Sequence, residues 1–132
     1  MRNERPLYVL SGPVIHGEGN GRTVGMPTAN LLLPADGALP PFGVYAGLVT
    51  VEGREYLGVT NVGLRPTLTN DPAPTVETYL PDFSGDLYGE EITVSLYAFL
   101  RPTRKMASLW EVEAQVERDV LNARQIMAGI DP

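Results

Sequence analysis

Residues Gly21–Pro34 read GRTVGMPTANLLLP. Pro27 fixes its own φ and pushes Met26 towards an extended conformation. The chain then runs extended into an apolar stretch, so Thr28 and Asn30 project from one face and Ala29 from the other. A glycine-rich turn thus delivers a hydroxyl and an amide oxygen side by side at the start of a strand. Both are hard oxygen donors of the kind Mg²⁺ accepts beside phosphate oxygens and water. The pattern also suits an ordinary strand start in which Thr and Asn bond their own backbone. Spacing alone leaves both readings open.

Upstream, His16–Gly25 reads HGEGNGRTVG, with glycines at 17, 19, 21 and 25. Such a run permits positive φ and close approach of a ligand to the main chain. Successive N–H groups can then converge on phosphate oxygens. Two familiar phosphate loops do not fit. Gly12 and Gly17 have the spacing of a P-loop, but Glu18 and Gly19 stand where Lys and Ser/Thr are needed. Gly17, Gly19 and Gly21 do not complete a dinucleotide fingerprint, because Arg22 and Val24 occupy the possible third positions. A multi-turn connection without a ligand fits the loop by itself equally well. His16 is the sole histidine, and nothing in the sequence pairs it with a nucleophile.

The chain has 132 residues, the size of a single domain spanning 1–132. With 43% hydrophobic and 20% charged residues it can bury a core without staples. The 14 Gly and 12 Pro call for many turns between short strands. A net charge of -6 argues against a general nucleic-acid binder. Any phosphorylated ligand must therefore be held locally, by backbone amides, a metal ion or a few placed arginines. The absence of Cys excludes disulfides and thiolate metal sites. No apolar stretch has the length of a signal peptide core or a membrane span. The expectation is a soluble cytoplasmic protein.

Period-two patterns predict strands over Leu7–Ile15, Gly43–Val51, Arg54–Val62, Thr75–Leu80 and Glu91–Leu100. Gly12 and Pro13 suggest that the first is bulged or at an edge. Glu52-Gly53 is a two-residue hairpin signal. Gly63–Pro74, with three prolines, reads as a loop, and Ser84-Gly85-Asp86 as a turn. In Glu91–Leu100 the residues Ile92, Val94, Leu96, Ala98 and Leu100 share one face. The period then changes. Ser108 followed by Glu111 is a capping-box signature, and Leu109, Val112, Val116, Val120, Ala123 and Met127 recur at helical spacing. Gly129 is a plausible stop. Antiparallel strands closed or curled, with one helix covering them, would bury both apolar faces.

Glu77 sits within TVETYL on the face of Thr75 and Tyr79, opposite Val76, Thr78 and Leu80. A carboxylate there can serve as a general base for a substrate hydroxyl, or simply face solvent. Arg101, Arg104 and Lys105 cluster between the last strand and the helix, where they can hold a ligand or be solvated.

Taken in order, SGPVIHGEGNGRTVGMPTANL, FGVYAG, GVTNVGLRPT, VETYLPDFSGDLYGEEITV and FLRPTRKMASLWEVEAQVERD resemble the ATP-dependent riboflavin kinase family. More narrowly, they resemble the kinase module of bacterial bifunctional FAD synthetases. The likeness runs from about Leu10 to Arg124. It implies a mainly β fold, a small Greek-key closed barrel of about six strands with a C-terminal helix. It implies transfer of the γ-phosphoryl of ATP to the 5′-hydroxyl of riboflavin, with FMN as product.

By the same resemblance, Glu77 would be the catalytic base. Thr28 and Asn30 would bind Mg²⁺ and the phosphates of the co-substrate ATP. Gly17, Gly19, Gly21, Arg22, Gly25 and Pro27 would belong to the nucleotide site. Arg101, Arg104, Met106 and Trp110 would line the flavin site. Met26 departs from the family's usual Phe, and Tyr79-Leu80-Pro81 follows Glu77 where a less turn-prone sequence is usual. No H-x-G-H nucleotidyl-transfer motif is present, so this polypeptide should not make FAD. The expected partners are riboflavin and ATP, with no nucleic acid and no membrane. The chain is either a stand-alone kinase or a module normally fused to an FMN adenylyltransferase domain. The alternative readings are a non-catalytic flavin- or nucleotide-binding barrel and a purely structural barrel.

Overall fold

The computed structural model describes residues 5–15, 28–33, 39–65, 73–104 and 106–130. Among these, six strands precede one helix: β1 (Tyr8–Ile15), β2 (Thr28–Leu31), β3 (Gly43–Val51), β4 (Arg54–Arg65), β5 (Ala73–Tyr79), β6 (Glu91–Arg101) and α1 (Leu109–Ile130). The strands close into an antiparallel barrel in the order β1-β2-β5-β4-β3-β6. Three consecutive strands, β3, β4 and β5, lie side by side, and β6 returns to sit beside β3. That arrangement is a Greek key.

The interior is aliphatic because alternate residues of every strand point inward. Val62, Val76 and Leu80, with Val49, Val94 and Leu96, are all essentially inaccessible. One polar pair shares this space. Thr60 and Thr78 are both buried, and their hydroxyls lie 2.8 Å apart. The Thr78 hydroxyl also reaches the carbonyl of Val59 at 3.5 Å, so neither group is left unsatisfied. Tyr45, inside the barrel wall, donates its hydroxyl to the carbonyl of Pro41 at 2.7 Å. Burial, and secondarily Tyr8, pushes its phenol above the usual range.

Several expectations change on folding. β1 is neither an edge strand nor bulged, since it pairs with β6 without interruption from Tyr8 to Pro13 and then with β2 from Val14. Pro13 is tolerated where the two pairings meet. The irregularities lie instead between β3 and β6, where the register steps over Tyr97 and Leu100. Because the side-chain period is two, each extra residue changes the face that follows. Ile92, Val94 and Leu96 face the interior, but Ala98 and Leu100 pack with Val44, Ala46, Val59 and Ala123 under α1. The expected single face of β6 is thus split between the two cores.

The predicted loop Gly63–Pro74 is shorter than expected, because β4 runs on to Arg65 and β5 begins at Ala73. The pairing Leu64↔Pro74 carries the ladder to the barrel rim, a position where Pro is tolerated. β5 ends at Tyr79, before Pro81. The Glu52-Gly53 connection forms as predicted, with φ of 50° and 80°, the sign that the twist of a two-residue hairpin demands. α1 continues through Gly129 to Ile130, so that glycine does not stop it. No helix among the described residues is long and apolar enough to cross a membrane.

Candidate active site

On the outer wall, register assembles one row across five strands. Asn30 of β2 pairs with Glu77 of β5, Glu77 with Asn61 of β4, Asn61 with Val44 of β3, and Val44 with Arg101 of β6. Side chains directly opposite one another stand roughly 5 Å apart at Cβ. The Glu77 carboxylate therefore has an amide side chain on either hand. In the next row Thr28 pairs with Tyr79, and Tyr79 with Val59. Thr28 and Asn30 are half-buried on this outer face, while Ala29 and Leu31 are buried in the interior.

The bulges of β6 decide the far end of the row. They turn Arg101 outward, towards α1. Its Nε donates to Asp119 Oδ1 at 3.0 Å, and its Nη2 donates to Oδ2 at 2.8 Å. The amide of Gln115 donates to the same carboxylate at 3.0 Å. Asp119 is 2% exposed and Arg101 21%. A buried carboxylate needs such full satisfaction, and the planar guanidinium supplies it through two parallel bonds. This pair ties the end of β6 to the middle of α1. The helix begins where its cap predicts, with the Glu111 N–H donating to Ser108 Oγ at 3.3 Å.

Between the wall and the helix lies a cavity of about 630 Å³, within the range of small-molecule sites. Its floor includes Glu77, Tyr79, Asn61 and Gly63. Arg101, Thr103, Arg104 and Met106 close one side, and Val112, Val116 and Asp119 of α1 form the roof. It joins an apolar wall to a few convergent polar groups, with a carboxylate at the floor, the usual make-up of a small-molecule site.

Four of the residues singled out in the sequence, Glu77, Arg101, Arg104 and Met106, thus line one cavity. Thr28 and Asn30 do not line it but adjoin it through Tyr79 and Glu77. Trp110 is outside the lining and 83% exposed, in the first turn of α1. Gly17, Gly19, Gly21, Arg22, Gly25 and Pro27, together with His16, lie outside the described residues. Sequence reading passed over Asn61, Tyr79, Thr103 and Asp119. Asn61 carried a readable signal, since its parity with Val59 puts it on the face of Glu77 once β4 and β5 are paired. Asp119 carried another, a carboxylate one turn beyond Val116 and two beyond Val112 on the apolar stripe.

No group of three His, Cys, Asp or Glu among the described residues forms a metal centre on its own. The Thr28 hydroxyl and Asn30 amide oxygen are instead the sparse, hard donor set that suits a cation brought in on phosphates.

A family model described as riboflavin kinase matches residues 4–127. The chain is 38% identical over 124 residues to a bifunctional riboflavin kinase/FMN adenylyltransferase of Listeria monocytogenes, covering 94% of this chain and 40% of that protein. It spans about that share of the other bifunctional relatives as well. A crystal structure described as a macrolide-efflux protein from Streptococcus pneumoniae superposes with a TM-score of 0.80 at 33% identity, over 90% of this chain and 38% of that one. The crystal structure of riboflavin kinase from Trypanosoma brucei superposes with a TM-score of 0.67 at 27% identity, over 91% of this chain and 79% of that one. The closed barrel, the cavity beneath its helix and the match over nearly the whole length agree: the chain belongs to the riboflavin kinase family.

Proposed function

We propose that this chain transfers the γ-phosphoryl group of ATP to the ribityl 5′-hydroxyl of riboflavin, releasing FMN and ADP. The observation that carries the reading is the position of Glu77. It lies in the floor of the cavity and, on its other side, pairs with Asn30 of the Thr-Ala-Asn strand. A hydroxyl bound in the cavity would meet a carboxylate on one side and a phosphate site on the other.

In this mechanism the hydroxyl oxygen attacks the γ-phosphorus, the bond from that phosphorus to the bridging oxygen breaks, and ADP leaves. Glu77 accepts the hydroxyl proton and later returns it to solvent. The protein's main contribution is positioning and charge neutralisation. Arg101, held by Asp119, and Arg104 and Met106 fix the flavin against the outer wall. Thr28 and Asn30 would hold Mg²⁺ with the ATP phosphates, where the ion neutralises charge on the transferred group. In the same proposal Gly17, Gly19, Gly21, Arg22, Gly25 and Pro27 belong to the nucleotide site.

The relatives' second activity suggests that the module works fused to an adenylyltransferase domain, in the cytoplasm where ATP and riboflavin meet. Residues 1–132 assayed alone should stop at FMN. The test is ADP release with and without riboflavin, run beside titrations of Thr28→Ala. Riboflavin-dependent ADP release is expected, and Thr28→Ala should weaken Mg·ATP binding more than riboflavin binding. ADP release that ignores riboflavin would overturn the proposal.

A further inference from the structure

We infer that Gly63 is where bound riboflavin lies against the bare backbone of β4, which makes it a specificity-determining residue of the cavity. The inference rests on the kinase reading above and extends it.

The described strand glycines differ in why they are glycine. A Cβ at Gly12 would stand 2.7 Å from the carbonyl oxygen of Leu32, and one at Gly58 would stand 2.7 Å from Val49 Cγ2. At Gly43 it would collide with the Phe99 ring, and at Gly47 with the Ser95 carbonyl. In all four the protein itself fills the space. Among the described residues, Gly63 has neither that reason nor a left-handed φ. A Cβ there would find Thr103 Cγ2 at 3.6 Å and Asn61 Nδ2 at 3.8 Å, ordinary contact distances.

A glycine inside a strand weakens it relative to alanine. Where no described backbone or side chain fills the space and the ladder to β5 runs through without a bulge, close approach of a ligand is a physical reason for it. Gly63 is in the right place for one. It lies in β4 on the cavity side, paired with Thr75 and diagonal to Glu77. Asn61 pairs with Glu77, and Gly63 is two residues further along, roughly 7 Å at strand rise. A riboflavin whose 5′-hydroxyl reaches Glu77 extends its ribityl chain over that distance. The part passing Gly63 is the inner ribityl chain and the ring edge it joins, with Asn61 and Thr103 flanking it.

The experiment compares wild type, Gly63→Ala and Gly63→Val for riboflavin affinity, Mg·ATP affinity and melting temperature without ligands. The expected result for Gly63→Ala is riboflavin binding weakened about tenfold, Mg·ATP binding within twofold of wild type, and an unchanged or raised melting temperature. Gly63→Val should abolish riboflavin binding while still binding Mg·ATP. Riboflavin affinity in Gly63→Ala equal to wild type overturns the inference and leaves the kinase reading standing. A lowered melting temperature with both affinities reduced together overturns it in favour of a structural glycine. A wild type that binds no riboflavin overturns the kinase reading, and this inference with it.

Discussion

The two faces of β5 show how one strand divides its labour. Val76, Thr78 and Leu80 point into the barrel and are inaccessible to solvent. Glu77 and Tyr79, each one residue away, point out into the cavity under α1. The inner set is closed, aliphatic and satisfied by its own Thr60–Thr78 hydrogen bond. The outer set is polar, partly open and backed by a helix that leaves room for a ligand. Stability sits on one face and, in the proposed mechanism, chemistry on the other, held in register by the same backbone. Substitutions on the two faces should therefore separate cleanly.

The largest effect belongs to the outer face. Glu77→Gln should lower turnover by roughly 10²–10⁴-fold, the usual worth of a general base. Its melting temperature should stay close to wild type, which differential scanning calorimetry checks. Next comes the inner face. Leu80→Ala should cost about 2–5 kcal/mol of stability, because it empties a fully buried site. Denaturant titration measures that loss, and riboflavin affinity below the transition should be unchanged.

Asp119→Ala tests the seam between the two regions. Removing the carboxylate takes the bonds from Arg101 and Gln115 with it. A stability loss of about 1.5–3 kcal/mol is expected, together with weaker riboflavin binding as Arg101 loses its anchor. If only stability changed, Arg101 would belong with the inner region.

The smallest effect lies at the rim, where Arg124 of α1 grips Asp82 through two bonds of 3.0 and 2.8 Å. Both side chains are about half exposed, so Asp82→Asn should cost under about 1 kcal/mol. The hydrogen bonds from Arg124, opposed only in part by burial, hold the Asp82 carboxyl below its ordinary range. A depressed folded value means that the contribution is fully present above the ordinary carboxylate range. It is lost as pH falls through the depressed value. The melting-temperature gap between wild type and Asp82→Asn should accordingly close on acidification.

The inner face was the more legible of the two. Alternation in TVETYL gave the parity of β5, and the helical stripe from Val112 to Met127 gave α1, because burial against a single surface writes a period into the chain. The division of β6 was hidden. Tyr97 and Leu100 look like any strand residues, and only the pairing with β3 turns them into bulges that send Ala98 and Leu100 to the other core. The continuation of β4 through Leu64 was masked by nearby prolines, although a barrel rim tolerates them. On the outer face, Glu77 and Thr28 with Asn30 stood out by type and motif. Asn61 and Asp119 did not, because their place at the cavity comes from contacts between distant segments rather than from local pattern.

The most direct test of the division of labour is chromatographic separation of flavins after incubation with riboflavin, ATP and Mg²⁺, wild type beside Glu77→Gln. Wild type should yield FMN and no FAD, while the folded variant should bind riboflavin and leave it unconverted. FMN formed at the wild-type rate by Glu77→Gln, or a wild type that binds riboflavin without converting it, would contradict the assignment of the chemistry to this face of β5.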